Sequence, residues 1–220
     1  MPMPMACSAL WTASATSRPA WRSDVTRDTF CDVTDKRRSS RWLVLVIRLP
    51  AEPSRHRVGV WRELRKAGAL SLGQGVWAVP DLPVFAGGVE RAVALVARAD
   101  GEATVLEAGG RSPADAERFE ALFNAARQAD WAEFIADCAK YEAEVAKEIR
   151  IEKFTLAELE EEEQSLERLR RWHRDLTARD VFGTAEAARA TARVKECAAV
   201  CEDYAERVFR VLHDIPSSEQ

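Results

Sequence analysis

The run of apolar residues from Trp42 to Ile47 constrains the fold of this chain more than any other feature. It is short, rich in β-branched side chains and closed by Arg48-Leu49-Pro50. A run of this length and composition that ends at a proline is typical of a strand buried on both faces. The sequence therefore predicts a sheet organised around Trp42–Ile47.

A helical pattern follows this strand. Val58, Trp61 and Leu64 recur at helical spacing, and Gly68 suits the left-handed backbone position just past the end of a helix. Three tryptophans fall on the elements of this region, and we expect them to pack in the core. They are Trp42, Trp61 and Trp77.

Two short apolar segments, 69–72 and 76–79, come next and are joined by Gly73-Gln74-Gly75. Two glycines between apolar runs indicate a hairpin. A helix at about 84–98 and a strand at 103–108 complete the order β-α-β-β-α-β, which is the ferredoxin-like plan. The predicted fold class is therefore α+β, a ferredoxin-like unit followed by a helical region.

Three further helices are predicted after this unit. Ser112–Asp115 and Thr155–Glu158 each provide an N-cap followed by an acidic residue at the third helical position, and Thr184 caps the last helix. Short connections favour antiparallel neighbours. The predicted division is a ferredoxin-like domain at residues 41–110 and a helical domain of three antiparallel helices at residues 111–214.

The two ends of the chain are expected to lie outside the fold. Residues 1–40 are rich in Ser, Thr, Ala, Arg and Pro and show no helix or strand periodicity, so we expect a disordered extension. A sharper hypothesis is that these residues lie upstream of the true start of the protein. Residues 215–220 are expected to form a tail. No run approaches the roughly 20 apolar residues of a membrane span, so no membrane partner is expected.

Two groups of basic side chains on the predicted helices are the candidate binding residues. They are Arg55, Arg62, Arg65 and Lys66 on the first helix, and Arg168, Arg171 and Arg174 near the end of the helix capped by Thr155. Guanidinium groups match phosphate and small oxyanions because their N–H donors form a fork. The alternative interpretation is a solvated helix face, which in the second group complements the helix dipole. The net charge of −4 argues against a generally basic coat protein for nucleic acid.

No pattern in the sequence indicates a catalytic residue, a metal or a cofactor. The motifs of nucleotide-binding loops, serine hydrolases and zinc proteases are absent. The acidic run Glu160–Glu163 points in all directions around a helix, which favours a solvated surface over a metal site. Five cysteines without a C-x-x-C pair favour buried thiols in a reducing compartment, although Cys197 and Cys201 have the spacing of half a metal site.

Three segments together resemble the N-terminal domain of the chromate resistance regulator ChrB, over about Arg41–Asp214. They are WLVLVIRLP, RVGVWRELRKAGALSLGQGVWAVP and RRWHRDLTARDVFG. The first half is also similar to the middle domain of PaaX-type repressors and to the small ferredoxin-like nuclease fold of CRISPR systems. The resemblance to ChrB implies a cytoplasmic bacterial protein that regulates chromate resistance by binding operator DNA and responding to chromate.

The chain departs from these families in three ways. The CRISPR nucleases place an acid at the end of the first strand, where Arg48-Leu49-Pro50 stands here. PaaX-type repressors carry a winged helix before this unit. Longer ChrB proteins continue into a second domain, so the chain looks like a stand-alone form of their N-terminal part.

The leading hypothesis is a non-enzymatic regulator or accessory factor, expected to be a homodimer. The alternatives are a dimeric interaction module that pairs through the edge of strand Val76–Val79, and an enzyme, either a nuclease or a chromate reductase.

Overall fold

A four-stranded sheet and five helices make up residues 41–213, the part of the chain that the computed structural model describes. The expected extension at 1–40 and the expected tail at 215–220 lie outside the described residues. The elements in chain order are β1 (Arg41–Arg48), α1 (Ser54–Ala67), β2 (Leu70–Gly73), β3 (Val76–Pro80), α2 (Pro83–Arg98), β4 (Glu102–Gly109), α3 (Pro113–Arg150), α4 (Leu156–Arg179) and α5 (Ala185–His213).

The sheet has the strand order β2-β3-β1-β4, with every neighbouring pair antiparallel. β1 lies between β3 and β4, so Leu45 is opposite Trp77 on one side and Val105 on the other. This central position agrees with the apolar composition of β1, since both of its edges are covered by other strands. The strand order and the βαββαβ succession together define a ferredoxin-like unit. The predicted α+β fold class, with a helical region after the unit, is confirmed.

The edge assigned to Val76–Val79 from the sequence is wrong. β3 pairs with β2 on one side and with β1 on the other, so it has no free edge within the described sheet. The outer strands are β2 and β4. The hairpin signal at Gly73-Gln74-Gly75 correctly joins β2 to β3, but a hairpin alone does not specify which of its two strands lies inside the sheet.

α1 packs on the ferredoxin-like unit through Val60, Leu64 and Ala67. Gly68 has φ +80° and its N–H bonds to the carbonyls at the end of the helix, which confirms the predicted left-handed cap. The predicted core packing is confirmed for Trp42 and Trp77, which are 2% and 7% exposed.

Trp61 does not pack in the core, contrary to the prediction, because 51% of its surface is exposed. At about 100° per residue, Trp61 lies roughly 60° from Leu64 and 100° from Val60 around the helix. The side of α1 that meets the core passes through Val60 and Leu64, and Trp61 lies beyond its border.

Both predicted N-caps of the first two long helices are present. The Ser112 side chain accepts from the Asp115 N–H while the Asp115 carboxylate accepts from the Ser112 N–H, which is a reciprocal capping box. The Thr155 hydroxyl accepts from the Glu158 N–H. α3, α4 and α5 share one apolar cluster that includes Trp131, Phe134, Cys138, Leu166, Cys197 and Tyr204.

The contacts fix the directions of the long helices. Phe134, near the middle of α3, meets Trp172 late in α4, whereas Lys153, just after α3, pairs with Glu158 early in α4. α4 therefore runs back along α3. The division of the chain into two domains at residue 110 stays a prediction. Among residues 41–213, no helix combines the length and apolar character that crossing a bilayer requires.

Candidate functional site

The outward side of α1 carries the first group of predicted binding residues. Arg55, Arg62, Arg65 and Lys66 are all exposed, as is Arg57. None of the five forms an ion pair with a residue in the described range. The one acid on α1, Glu63, pairs with Arg91 on α2 and lies on another side of the helix. The exposed face of α1 is therefore positively charged, without acidic partners along it.

Trp61 lies at the border of this basic face. The Arg65 guanidinium carbon lies 5.5 Å from the centre of the Trp61 ring, which is within cation–π range. Val58, one turn earlier, is also exposed. The face thus combines several cations with an exposed aromatic ring. The sequence gives the direction of Trp61, roughly 60° or more from Leu64 and Val60, but not the width of the surface that covers the helix.

A cleft of about 290 Å³ lies at the C-terminal end of α1. Its floor includes Trp172 and Leu176 of α4. Three basic and three acidic side chains surround it, namely Arg65, Lys66, Arg179, Asp130, Glu133 and Asp175. Because the charges balance, the cleft has no excess positive charge to attract a dianion such as chromate.

Arg179, one of the cleft residues, closes the end of α1. Its Nη1 donates to the carbonyl of Lys66 at 2.8 Å and to that of Arg65 at 3.4 Å, while its Nε donates to the Asp175 carbonyl at 2.9 Å. The last carbonyls of a helix lack partners within the helix and carry the negative end of its dipole. A guanidinium at this place therefore satisfies the carbonyls and complements the dipole.

Arg127 on α3 completes the same cap from the other side. Its Nη1 donates to the Gly68 carbonyl at 3.0 Å, and its Nη2 pairs with Asp130 at 3.0 Å. The guanidinium also lies over the Phe123 ring, 4.8 Å from its centre. Arg127 is buried, and its Nε has no hydrogen-bond partner among the described residues. The end of α1 is thus held by arginines from two of the long helices.

Burial lowers the pKa of both capping arginines. For Arg179 and for Arg127, loss of hydration is the largest cause, and the nearby Arg65 charge lowers the pKa further. Asp130 acts in the opposite direction on both, because its carboxylate favours the charged guanidinium. Asp130 therefore compensates part of the cost of holding two arginines close together.

Asp180 follows Arg179 and ties α3 to the start of α5. Its carboxylate accepts from the Trp131 indole N–H at 2.9 Å, from the Thr184 N–H at 3.1 Å and from the Thr184 hydroxyl at 2.7 Å. Gly183 between them has φ +75°. The segment Arg179–Thr184 is therefore a turn built on one carboxylate.

Phe182 in this turn reaches the core of the ferredoxin-like unit. Its ring lies 6.0 Å from Trp42 and 5.6 Å from Phe123. Val181 and Phe182 both pack against the apolar cluster of the sheet. Sequence reasoning identified 179–183 only as a break between helices. The structure shows that this break joins the sheet to the long helices.

The second group of predicted residues lies along α4 and does not line the cleft. Arg168 donates to the Ser165 hydroxyl at 3.3 Å, and Arg174 pairs with Glu167 at 2.9 Å. Arg171 is exposed and makes no bond to a described residue. Only Arg65 and Lys66 of the first group reach the cleft beside α4, so the seven candidates do not form one cluster.

The acidic run on α4 is not wholly solvated, which corrects the prediction. Glu162 is 7% exposed, and burial together with neighbouring carboxylates raises its pKa. No group of three His, Cys, Asp or Glu residues within 41–213 has the arrangement of a metal site. Cys138, Cys197 and Cys201 are buried and unpaired by disulfides, as expected of thiols that pack in a core.

Comparison with known proteins identifies the family of this chain. A family model described as "Protein ChrB, N-terminal" matches residues 57–215, which is more than half of the chain. The match begins within α1, so the β1 run lies before it. No solved structure matches the chain significantly.

One curated relative is Protein ChrB of Cupriavidus metallidurans (strain ATCC 43123 / DSM 2839 / NBRC 102507 / CH34). It is 28% identical over 96 residues, which are 44% of this chain. The matched region spans 29% of the relative's length. The similarity is therefore to a part of that protein.

Proposed function

Because the chain belongs to the family of the N-terminal region of protein ChrB, we propose that it is a non-enzymatic regulator of chromate resistance that binds operator DNA in the cytoplasm. The family membership supports the coarser statement, an association with chromate resistance. The regulatory role, the DNA contact and the response to chromate are the parts that the following experiments test.

The basic face of α1 is the observation that supports binding to DNA. Five exposed cations lie along one helix, and the one acid of that helix is paired with Arg91. Unpaired arginines along a helix neutralise successive phosphates and release the counterions around them. The balanced charges of the cleft near Arg179 make that cleft a weaker candidate for phosphate contact. We therefore place the DNA contact on Arg55 and Arg62 first, and on Arg65 and Lys66 at its margin.

Operator binding is tested by fluorescence anisotropy with the full chain and its own upstream DNA, across a salt series. The expected result is promoter-selective binding that weakens steeply with salt. A scrambled duplex of equal length and composition is the control for selectivity. Equal affinity for both duplexes contradicts a specific operator, and no binding at low salt contradicts the DNA role altogether.

The response to chromate is tested separately. A tetrahedral dianion suits clustered arginines, and Arg171 is an exposed arginine that makes no hydrogen bond to a described residue. Isothermal titration with chromate and with sulfate measures this contact, because sulfate has the same shape and charge without the oxidising power. Binding heat from chromate alone indicates a chromate-selective site, and heat from both anions indicates a general oxyanion site. No binding heat from either anion at millimolar concentration excludes chromate as the effector.

A second candidate function is a homodimeric interaction module, which the outer edge of β4 favours. β4 is eight residues long and lies at one end of the sheet order, with Val105 and Leu106 exposed. An edge strand of this length presents unpaired backbone groups to another strand. Light scattering across protein concentrations tests it. A dimer that proline at Val105 abolishes supports pairing through β4, and a monomer at high concentration excludes this candidate.

A further inference from the structure

The exposed indole of Trp61 has no structural role that its packing explains. Half of its surface is open, although tryptophan gains more than any other side chain from burial. Trp42 and Trp77 in the same unit are almost completely buried. Trp61 and the exposed Val58 one turn earlier form a contiguous apolar patch, and such patches mark contact surfaces.

The surroundings of Trp61 indicate the chemistry of the partner. Around α1 at about 100° per residue, Arg65 and Arg57 lie roughly 40° to either side of Trp61, with Arg62 farther round on the same outward side. All three arginines are exposed, and none pairs with an acid in the described range. A protein partner of ordinary composition would leave most of these charges unmatched. A polyanion matches all of them.

Arg65 also holds the indole in place. Its guanidinium lies over the Trp61 ring at 5.5 Å, so part of the conformational freedom of the exposed ring is already lost. A ring that is fixed before binding loses less entropy when a flat ligand stacks on it. The pair is therefore a prepared surface for a planar group next to negative charge.

We propose that Trp61 is a stacking platform for an unpaired base, and that the α1 face takes single-stranded nucleic acid as well as duplex. Bases in a duplex are already stacked on one another and present only their edges, whereas bases of a single strand are free to stack on an aromatic ring. The arginines on either side then contact the phosphates that flank the stacked base. This inference rests on the proposed function in that both use the basic face of α1.

The experiment compares a single strand with a duplex of the same sequence, using the full chain and fluorescence anisotropy. Trp61→Ala is expected to weaken single-strand binding by about 5- to 150-fold, the range measured for loss of one base–aromatic stack. Duplex binding is expected to change by less than about 3-fold, since the phosphate contacts remain. Trp61→Phe keeps an aromatic face and is expected to retain most of the single-strand affinity.

Phe209→Ala is the matched control. Phe209 on α5 is 50% exposed, close to the value for Trp61, and it lies outside the basic face. Its loss is expected to leave binding to both forms unchanged. Circular dichroism of each variant shows whether the helices are intact, and both positions are exposed, so neither substitution opens a cavity.

Three results with Trp61→Ala overturn the inference. They are equal loss of single-strand and duplex affinity, no loss of affinity for either form, and a change in oligomeric state by light scattering. If the wild-type chain binds duplex but does not bind single strands, the inference fails and the proposed function stands. If neither form binds, both fail.

Discussion

Arg179 at the end of α4 donates a hydrogen bond to the backbone carbonyl of Lys66 at the end of α1, 113 positions earlier in the chain. The contact places a cation where the dipole of α1 is most negative. It also connects the helix that carries the basic face to the long helices. The orientation of that face therefore depends on a residue outside it.

Replacing Arg179 with alanine is expected to lower the free energy of unfolding by about 2 kcal/mol, because the carbonyls of Lys66 and Arg65 lose a charged donor. Urea denaturation measures the change. Arg174→Ala on the same helix is the control, since water and salt screen its exposed pair with Glu167 and leave it with little effect on stability. Equal effects of the two substitutions contradict the capping role.

Gly68→Ala and Gly183→Ala form a matched pair. Both glycines have positive φ, at +80° and +75°. A Cβ on Gly68 would meet Arg127 Nη1 at 2.5 Å and Arg179 Cδ at 2.8 Å, whereas one on Gly183 would meet nothing within 4 Å. Gly183→Ala is expected to cost about 1 to 2 kcal/mol from backbone strain alone. Gly68→Ala should lower stability by more than this. Thermal unfolding in which Gly183→Ala is the less stable variant contradicts the packing described.

Asp180→Ala is expected to destabilise the chain by about 2 to 3 kcal/mol, because the Trp131 indole N–H and the Thr184 donors lose their shared acceptor. The near-ultraviolet circular dichroism of the tryptophans should change as well. Asp180→Asn keeps one acceptor oxygen and should recover part of the stability. An Asp180→Ala variant with the free energy of unfolding of the wild type would show that the turn does not depend on this carboxylate.

His173 makes stability depend on pH. Its ring contacts the rings of Trp131 and Phe134, and burial lowers its pKa below the ordinary 6.5. As the pH falls through 6.5, the unfolded chain takes up a proton that the folded chain resists, so the free energy of unfolding decreases down to the folded pKa. Above pH 6.5 the contribution of His173 to the free energy of unfolding is fully present. His173→Gln removes the titration.

The measurement is urea denaturation between pH 7.5 and pH 5. The slope with pH should be shallower in His173→Gln than in the wild type. Glu162 contributes in the opposite direction, because its raised pKa lowers stability as the pH rises above the ordinary value of 4.5. An identical slope in both proteins contradicts the role given to His173.

The sequence predicts local structure well where a backbone requirement or a periodic pattern specifies it. Gly68 was identifiable because a left-handed position favours glycine, and Ser112 because its side chain bonds within three residues. The exposure of Trp61 was mispredicted because a helical period gives the direction of each side chain but not the width of the surface that covers it. The bonds of Arg179 and Arg127 to the end of α1 were missed because they join residues far apart in the chain.

The basic face of α1 is the contact on which the proposed binding of nucleic acid depends most directly. The decisive measurement is the salt dependence of binding for the double variant Arg55→Ala/Arg62→Ala, with Arg189→Ala/Arg210→Ala on α5 as control. Loss of two phosphate contacts should reduce the slope of log K against log salt by about 2, and the control should keep the wild-type slope. An unchanged slope in the α1 variant would contradict the assignment of this face.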